Sequence, residues 1–291
     1  MVNLSRRLSC VFETFLFAGL LIPAAAPSRA APTRLLFLGG GSTSHDPAAM
    51  RDVIKPVFEK AGMAVEYRAN ESVLHADSLA RFDALFVYNA KKGSKTDGTA
   101  DLTKAQEDAL FAWIESGHPM IAAHGASSSY LENPRWAQLI GGSYTVHGND
   151  FKYVTIAKPD HGSMTGVAPP TGWDEGRQHK LLREDLVILA TLNEEKTPWT
   201  WAHPQGRGWV YYTSSGHDTR TWSDPGFQGQ LVQAVKWGVS ASGGSTAAAA
   251  PPRGMGREKV SRSTPAGRFG SGGRNLLGRS ATIRAAAGSL P

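Results

Sequence analysis

Residues 35–46 read LLFLGGGSTSHD, a short apolar run that passes into a glycine-rich loop and ends in His45 and Asp46. Four large apolar residues bounded by glycine are typical of a strand that is buried on both faces. Similar runs recur along the chain, separated by segments of helical periodicity. They predict further strands at 64–67, 84–88, 120–123, 186–192 and 209–213. This alternation predicts an α/β fold with three layers, a mostly parallel sheet with helices on both faces.

Two helices are clear from the sequence. One begins at a capping box, Thr103 with Gln106, and ends at Gly117, whereas the other closes the domain at 227–239. Both have one apolar face at helical spacing. These faces consist of Leu110, Trp113 and Ile114 in the first helix and of Phe227, Leu231, Ala234, Val235 and Val239 in the second.

The first thirty residues have the layout of a secretory signal peptide, with Arg6 and Arg7 before the apolar run 15–22 and small residues around Arg29. We expect cleavage after Ala30. The apolar run is much shorter than the roughly twenty residues that a spanning helix needs, so no stable membrane span is expected. The sequence therefore predicts an exported protein, periplasmic or extracellular.

The net charge of +6 comes from the ends of the chain, because residues 31–241 carry 20 basic and 23 acidic side chains. The charge of this domain therefore gives no reason to expect a nucleic-acid partner. Residues 242–291 are basic and of low complexity, rich in Gly, Ser, Ala and Pro, and are predicted to be a disordered tail. The predicted organisation is a signal peptide (1–30), an α/β domain (31–241) and a tail (242–291).

Cysteine usage excludes several kinds of chemistry. The only cysteine is Cys10, which lies in the predicted leader. A mature chain that begins near Ala31 therefore has no disulfide, no thiolate metal ligand and no thiol nucleophile.

Three histidines follow predicted strands directly or after a short loop. His45 comes after the first strand, His124 after the fourth and His217 after the strand at 209–213. Ligands of open α/β sheets bind beyond the carboxyl ends of the strands. We therefore predict that the three imidazoles meet at one edge of the sheet and form a functional site.

The ordered set of motifs resembles the ThuA-like, or trehalose-utilisation, family, a branch of the class I glutamine amidotransferase-like fold with a flavodoxin-like core. The resemblance covers nearly all of 34–239. Its landmarks are His45-Asp46, His124-Gly125, Gly141-Gly142 with His147, Asp174-Glu175, the run 201–218, Trp222 and Trp237. The chain departs from the family pattern near Asp160-His161-Gly162 and at Gly176-Arg177. The resemblance implies a small carbohydrate ligand, such as trehalose or an oxidised disaccharide.

Amidotransferases of the wider fold place a cysteine after a central strand and a histidine after a late strand. Here His217 matches the late histidine, but His124-Gly125 stands where the cysteine would be, so a cysteine glutaminase is excluded. Serines 127–129 follow closely, yet the Gly-x-Ser-x-Gly pattern of a serine hydrolase elbow is missing.

Proton transfer is the chemistry that these residues suit best. We predict His124 and His217 as acid and base, with Glu175 as their carboxylate, in a hydrolase, lyase or isomerase that acts on a sugar derivative. A divalent metal ion is the second use of the same residues, since His45, His124, His147, His217 and Glu175 offer N and O ligands. The alternative function is a non-catalytic carbohydrate-binding or envelope-interaction protein.

Substrate-binding residues are predicted around the same edge, where flat aromatic faces suit sugar rings and polar side chains suit hydroxyls. Core packing is the alternative role of each tryptophan, and the two aspartates also suit helix N-caps. The predicted set consists of His45, Asp46, His147, Trp173, Trp201, Asp218 and Trp222.

Overall fold

The computed structural model describes residues 31–40, 45–89, 101–148, 154–170, 174–192 and 196–243, so the predicted leader and most of the predicted tail lie outside the described residues. The described ranges contain ten strands and six α-helices. In chain order they are β1 (Thr33–Gly40), α1 (Pro47–Lys60), β2 (Met63–Arg68), α2 (Ala76–Leu79), β3 (Ala84–Asn89), α3 (Lys104–Glu115), β4 (Met120–Ala123), α4 (Pro134–Ile140), β5 (Gly142–His147), β6 (Val154–Ile156), β7 (Arg177–Leu181), β8 (Val187–Leu192), β9 (Thr197–Gln205), β10 (Gly208–Thr213), α5 (Thr219–Trp222) and α6 (Pro225–Ala241).

A central sheet organises the domain, with strand order β2-β1-β3-β4-β10-β9-β8-β6. Neighbours from β2 through β10 are parallel, whereas β9, β8 and β6 are added by antiparallel pairing. The predicted α/β fold with a mostly parallel sheet is confirmed. A second, two-stranded sheet pairs β5 with β7 and sets His147 opposite Arg177.

The two faces of the central sheet pack into separate cores, as the strict side-chain alternation of a strand requires. On one face, Leu36 and Leu38 of β1 contact the core that includes α3 and α4. On the other face, Leu35 and Phe37 contact the core that includes α1 and α6. All of these side chains are fully buried, and each contributes roughly 1.5–3 kcal/mol through its removal from water. The described domain therefore has three layers.

Both predicted helices are present. The side chain of Thr103 accepts the backbone N–H of Gln106, and the Gln106 side chain accepts that of Thr103, so the capping box forms as predicted. Asp224 caps α6 by accepting the N–H of Phe227. Within the described ranges, no helix is long and apolar enough to cross a membrane.

Candidate functional site

Three elements bring histidines to the carboxyl edge of the sheet. His45 lies just before α1, His124 is the first residue after β4, and His217 lies in the loop after β10. The backbone of His124 has φ = 42°, a left-handed conformation that residues other than glycine adopt rarely. Such backbone strain is typical of functional sites, because only a demanding local geometry maintains it.

A carboxylate from the segment before β7 joins these imidazoles. Oε2 of Glu175 lies 3.3 Å from Nε2 of His124 and 3.1 Å from Nδ1 of His217. Nε2 of His45 lies 3.1 Å from Nε2 of His124, and Nδ1 of His217 lies 3.4 Å from the same atom. We call His45, His124, Glu175 and His217 the His/Glu cluster. One nitrogen or oxygen from each lies within 4.8 Å of the others, so the set could hold a metal ion.

Hydrogen bonds to the backbone hold the residues of the cluster in place. Nδ1–H of His124 donates to the backbone carbonyl of Ser214 at 2.8 Å, so this ring directs Nε2 toward the cluster. The side chain of Asp174 accepts the backbone N–H groups of Gly216 and His217 at 2.7 and 3.1 Å, which holds the loop after β10 in place. His147 lies outside the cluster and approaches the other oxygen of Glu175 at 2.7 Å.

Burial and charge set the protonation of the histidines. Burial lowers the pKa of His124 well below its usual value. Burial, followed by repulsion from Arg177, lowers the pKa of His45 to about 4. The hydrogen bond to Glu175 raises the pKa of His217. His217 is therefore the imidazole of the cluster that most readily carries a proton.

Burial and hydrogen bonds shift the pKa values of the two carboxyl groups, Glu175 and Asp174, in opposite directions. Burial alone would raise the pKa of Glu175, but hydrogen bonds with His124 and His217 outweigh burial and lower it overall. Asp174 has no such imidazole hydrogen bond, and burial raises its pKa to about 7. Glu175 thus stays ionised beside the imidazoles, and Asp174 acts through the backbone groups that it accepts.

The structure brings together the three residues predicted as catalytic, His124, His217 and Glu175, with His45 completing the cluster and His147 at its border. The imidazole rings of His124 and His217 lie 5.3 Å apart, centroid to centroid. Solvent reaches them unequally, since the side chain of His124 is fully buried and that of His217 is 36% exposed. Only His217 of this pair can face an incoming ligand directly.

The stacking role predicted for Trp201 and Trp222 is contradicted by their burial. Both side chains are 0% exposed and belong to the two cores, so neither ring offers a face to a sugar. The Nε1–H of Trp201 donates to the carbonyl of Ile140, and that of Trp222 donates to the carbonyl of Gly216. Burial of these large rings stabilises the sheet, which explains their place in the sequence better than ligand contact does.

The predicted substrate-binding aspartates have structural partners. Asp46 caps α1 by accepting the N–H groups of Ala48 and Ala49. Asp218 caps α5 and pairs with the guanidinium of Arg220. Their contact with a substrate remains a prediction, and Trp173 lies outside the described residues.

Two side chains of β7, the buried Arg177 and the half-buried His179, were not predicted from the sequence. The guanidinium of Arg177 donates to Oγ of Ser128 at 3.1 Å and lies 4.5 Å above the Tyr144 ring. Among the described residues, its Nε and Nη1 find no hydrogen-bond acceptor. His179 lies 2.9 Å from Oγ of Ser127, in the turn that starts at His124. The available signal was the departure from the family pattern at Gly176-Arg177.

The sequence profile of the ThuA family, described as trehalose utilisation, matches residues 34–238. This chain belongs to the ThuA family. The match spans the described domain from β1 to α6 and includes every residue of the His/Glu cluster. No curated protein matches the sequence.

Solved structures of ThuA-like proteins have the same fold. One, from Bacteroides uniformis, has a TM-score of 0.60 and 17% identity over 74% of this chain and 95% of its own. Another, from Parabacteroides merdae, has a TM-score of 0.57 and 15% identity over 74% and 92%. A cytoplasmic protein from Salmonella typhimurium has a TM-score of 0.51 and 14% identity over 70% and 98%. At such identities the likeness establishes the glutamine amidotransferase-like fold of this ThuA-family chain and nothing about its chemistry.

Proposed function

We propose that this ThuA-family protein is an enzyme that acts on a sugar derivative, such as a trehalose-type or oxidised disaccharide, by proton transfer at the His/Glu cluster. The observation that carries the proposal is the convergence of His124 and His217 on one oxygen of Glu175, at 3.3 and 3.1 Å. The family match supports the link to trehalose utilisation.

The arrangement suits a hydrolase, lyase or isomerase. These reactions move a proton to a glycosidic oxygen, from water or a hydroxyl, or to and from a carbon beside a carbonyl, and a positioned imidazole accelerates such a step by about 10²–10⁴-fold. If imidazoles act alone, the half-exposed His217 exchanges the proton with the substrate, and the buried His124 exchanges it with His217 and Glu175. Thiol chemistry of the amidotransferase kind has no nucleophile, because Cys10 is the only cysteine.

The proposed setting is outside the cytoplasm, in the periplasm or the medium. The leader at 1–30, with its paired arginines, apolar run and small residues near Ala30, supports export. Mature protein purified from its native source should then begin at or near Ala31, and retention of Met1 on the bulk of the protein would contradict export.

The enzyme proposal is tested by following conversion of trehalose and its keto derivatives with wild-type protein and with His217→Ala and His124→Ala. We expect each substitution to lower turnover by about 10²–10⁴-fold. The matched control is His75→Ala, because His75 is exposed and lies outside the cluster. Wild-type rates in folded His217→Ala would refute the assignment. Wild-type protein that binds these sugars and converts none would be a carbohydrate-binding protein instead.

A further inference from the structure

We propose that the His/Glu cluster binds one divalent transition-metal ion. Its ligands would be Nε2 of His45, Nε2 of His124, Nδ1 of His217 and Oε2 of Glu175. A catalytic role for this ion rests on the proposed function, since the ion would take part in the chemistry of that enzyme. Metal binding itself is measurable without any substrate.

The spacing of the donor atoms is the first argument. A tetrahedral ion at about 2.0–2.1 Å from each ligand requires ligand atoms that are about 3.3–3.4 Å apart. Around Nε2 of His124 the distances are 3.1 Å to His45, 3.4 Å to His217 and 3.3 Å to Glu175. The Glu175 oxygen lies 3.1 Å from His217. One donor atom from each of the four residues lies within 4.8 Å of the others.

The hydrogen-bond direction of His124 is the second argument. Its Nδ1–H donates to the carbonyl of Ser214, so in the neutral ring Nε2 carries a lone pair. That lone pair faces a Glu175 oxygen, which is also an acceptor, in a place where the imidazole is fully buried. Two acceptors this close need a proton or a metal ion near them, and one metal ion would satisfy His45, His124, His217 and Glu175 together. An imidazole that donates its other nitrogen to a backbone carbonyl is the usual arrangement of a metal-binding histidine.

The contacts around Glu175 and His217 are the third argument. His147 lies 2.7 Å from the Glu175 oxygen that faces away from the cluster, which fixes the orientation of the carboxylate. Asp174 fixes the backbone of His217 by accepting its N–H. Outer contacts of this kind orient metal ligands and account for about 10–100-fold in affinity.

The donor set selects the class of ion. Three imidazole nitrogens and one carboxylate oxygen suit Zn²⁺, Fe²⁺, Ni²⁺ or Cu²⁺, whereas Mg²⁺ and Ca²⁺ take oxygen ligands. We use Zn²⁺ as the probe. An ion held here would act as a Lewis acid toward a sugar oxygen or a bound water.

The experiment titrates ZnCl₂ into chelator-stripped full-length protein by calorimetry and measures bound zinc by mass spectrometry. We expect one zinc per chain in wild type and at least about 10–100-fold weaker binding in His217→Ala and Glu175→Gln, since a lost ligand costs no less than a lost outer contact. His75→Ala is the matched control and should bind like wild type. His217 and Glu175 are chosen because neither is fully buried, and near-ultraviolet circular dichroism checks that both variants fold.

X-ray absorption at the zinc edge then identifies the ligands. The inference expects nitrogen and oxygen neighbours at about 2.0–2.1 Å, with imidazole as the main contributor. Absence of saturable binding, or undiminished affinity in folded Glu175→Gln and His217→Ala, would overturn it. Protein that binds zinc at the cluster but converts no sugar would keep the metal site and refute the proposed enzyme. Sugar conversion that persists in zinc-free protein would keep the proposed enzyme and refute a catalytic role for the metal ion.

Discussion

The carboxylate of Asp174 accepts a hydrogen bond from the backbone N–H of Gly216 at 2.7 Å, which ties the segment before β7 to the loop after β10. The same side chain also accepts the N–H groups of Glu175 and His217. Asp174 therefore fixes the positions of Glu175 and His217 relative to each other, although the two residues are distant in sequence. Its role is positional, because its oxygens are occupied by backbone donors.

Asp174→Ala should therefore have two effects at once: it should lower the free energy of unfolding, and it should disorder the His/Glu cluster. Buried backbone donors left without an acceptor cost about 1–3 kcal/mol, and we expect a loss of that size in urea unfolding. The matched control is Asp185→Ala, which removes an exposed ion pair with Arg183 and should cost no more than about 1 kcal/mol. Equal stability of the two variants would show that Asp174 does not clamp the loop.

Stability should fall at acid pH because of His179. Burial, and then Arg177, lowers the pKa of His179 to about 3, below the roughly 6.5 of an unfolded histidine. Between these values the unfolded chain binds one proton more than the folded chain. The contribution of His179 to the free energy of unfolding is therefore fully present above pH 6.5 and is lost as pH falls toward 3. The contribution to the slope is about 1.4 kcal/mol per pH unit.

The measurement is urea unfolding from pH 7 to pH 4 for wild type, His179→Gln and the exposed control His75→Gln. His179→Gln should show a flatter pH dependence, whatever its stability at pH 7, because glutamine does not titrate. If the free energy of unfolding of His179→Gln depended on pH as steeply as that of wild type, His179 would have to be protonated in the folded protein.

The parallel half of the sheet was predictable because its strands are uninterrupted apolar runs. β1, β3 and β4 are buried on both faces, so their side chains need not alternate in polarity. β9 was missed although its middle, from Trp199 to His203, is fully buried. Pro198 and Pro204 are atypical of a central strand, and the strand tolerates Pro198 where its pairing with β8 is irregular.

The site was predictable in part for a related reason. His45, His124 and His217 are placed by the ends of strands that the sequence reveals, and the topology then brings them together. Arg177 and His179 belong to β7, whose sequence RQHKL has no apolar pattern, and its partner β5 lies 30 residues or more away. The sequence could not show whether Trp201 and Trp222 contact a ligand or pack in the core. A tryptophan indicates a large apolar side chain but not whether that side chain faces the site or the interior.

Gly216 should be intolerant of a side chain. Its φ of 127° is favourable only for glycine, and an added Cβ would lie 3.2 Å from Cβ of His124. Gly216→Ala should therefore cost about 1–3 kcal/mol through backbone strain and should weaken zinc binding by displacing the His124 ring. Gly229→Ala in α6 is the control, since nothing lies within 4 Å of its added Cβ. It should be neutral or slightly stabilising. Normal zinc affinity in Gly216→Ala would show that the loop adjusts without moving the cluster.

Trp222 should contribute to folding and not to sugar contact. Its ring packs 4.7 Å from Tyr88 and 5.2 Å from Phe227, centroid to centroid, and is 0% exposed. The carbonyl of Gly216 accepts from both Trp222 and the Tyr88 hydroxyl, so Trp222→Phe leaves that carbonyl with a donor. The remaining effect is lost core volume, and we expect a fall of about 1–3 kcal/mol in stability.

Sugar binding by the folded Trp222→Phe variant should match wild type when affinity is measured well below its melting temperature. The comparison variant is Tyr144→Ala, because the Tyr144 ring is half-buried beside His147 and Arg177. It should lose affinity at a smaller cost in stability. If Trp222→Phe instead lost affinity while its unfolding free energy stayed at the wild-type value, the ring would have to contact the ligand, and its placement in the core would be refuted.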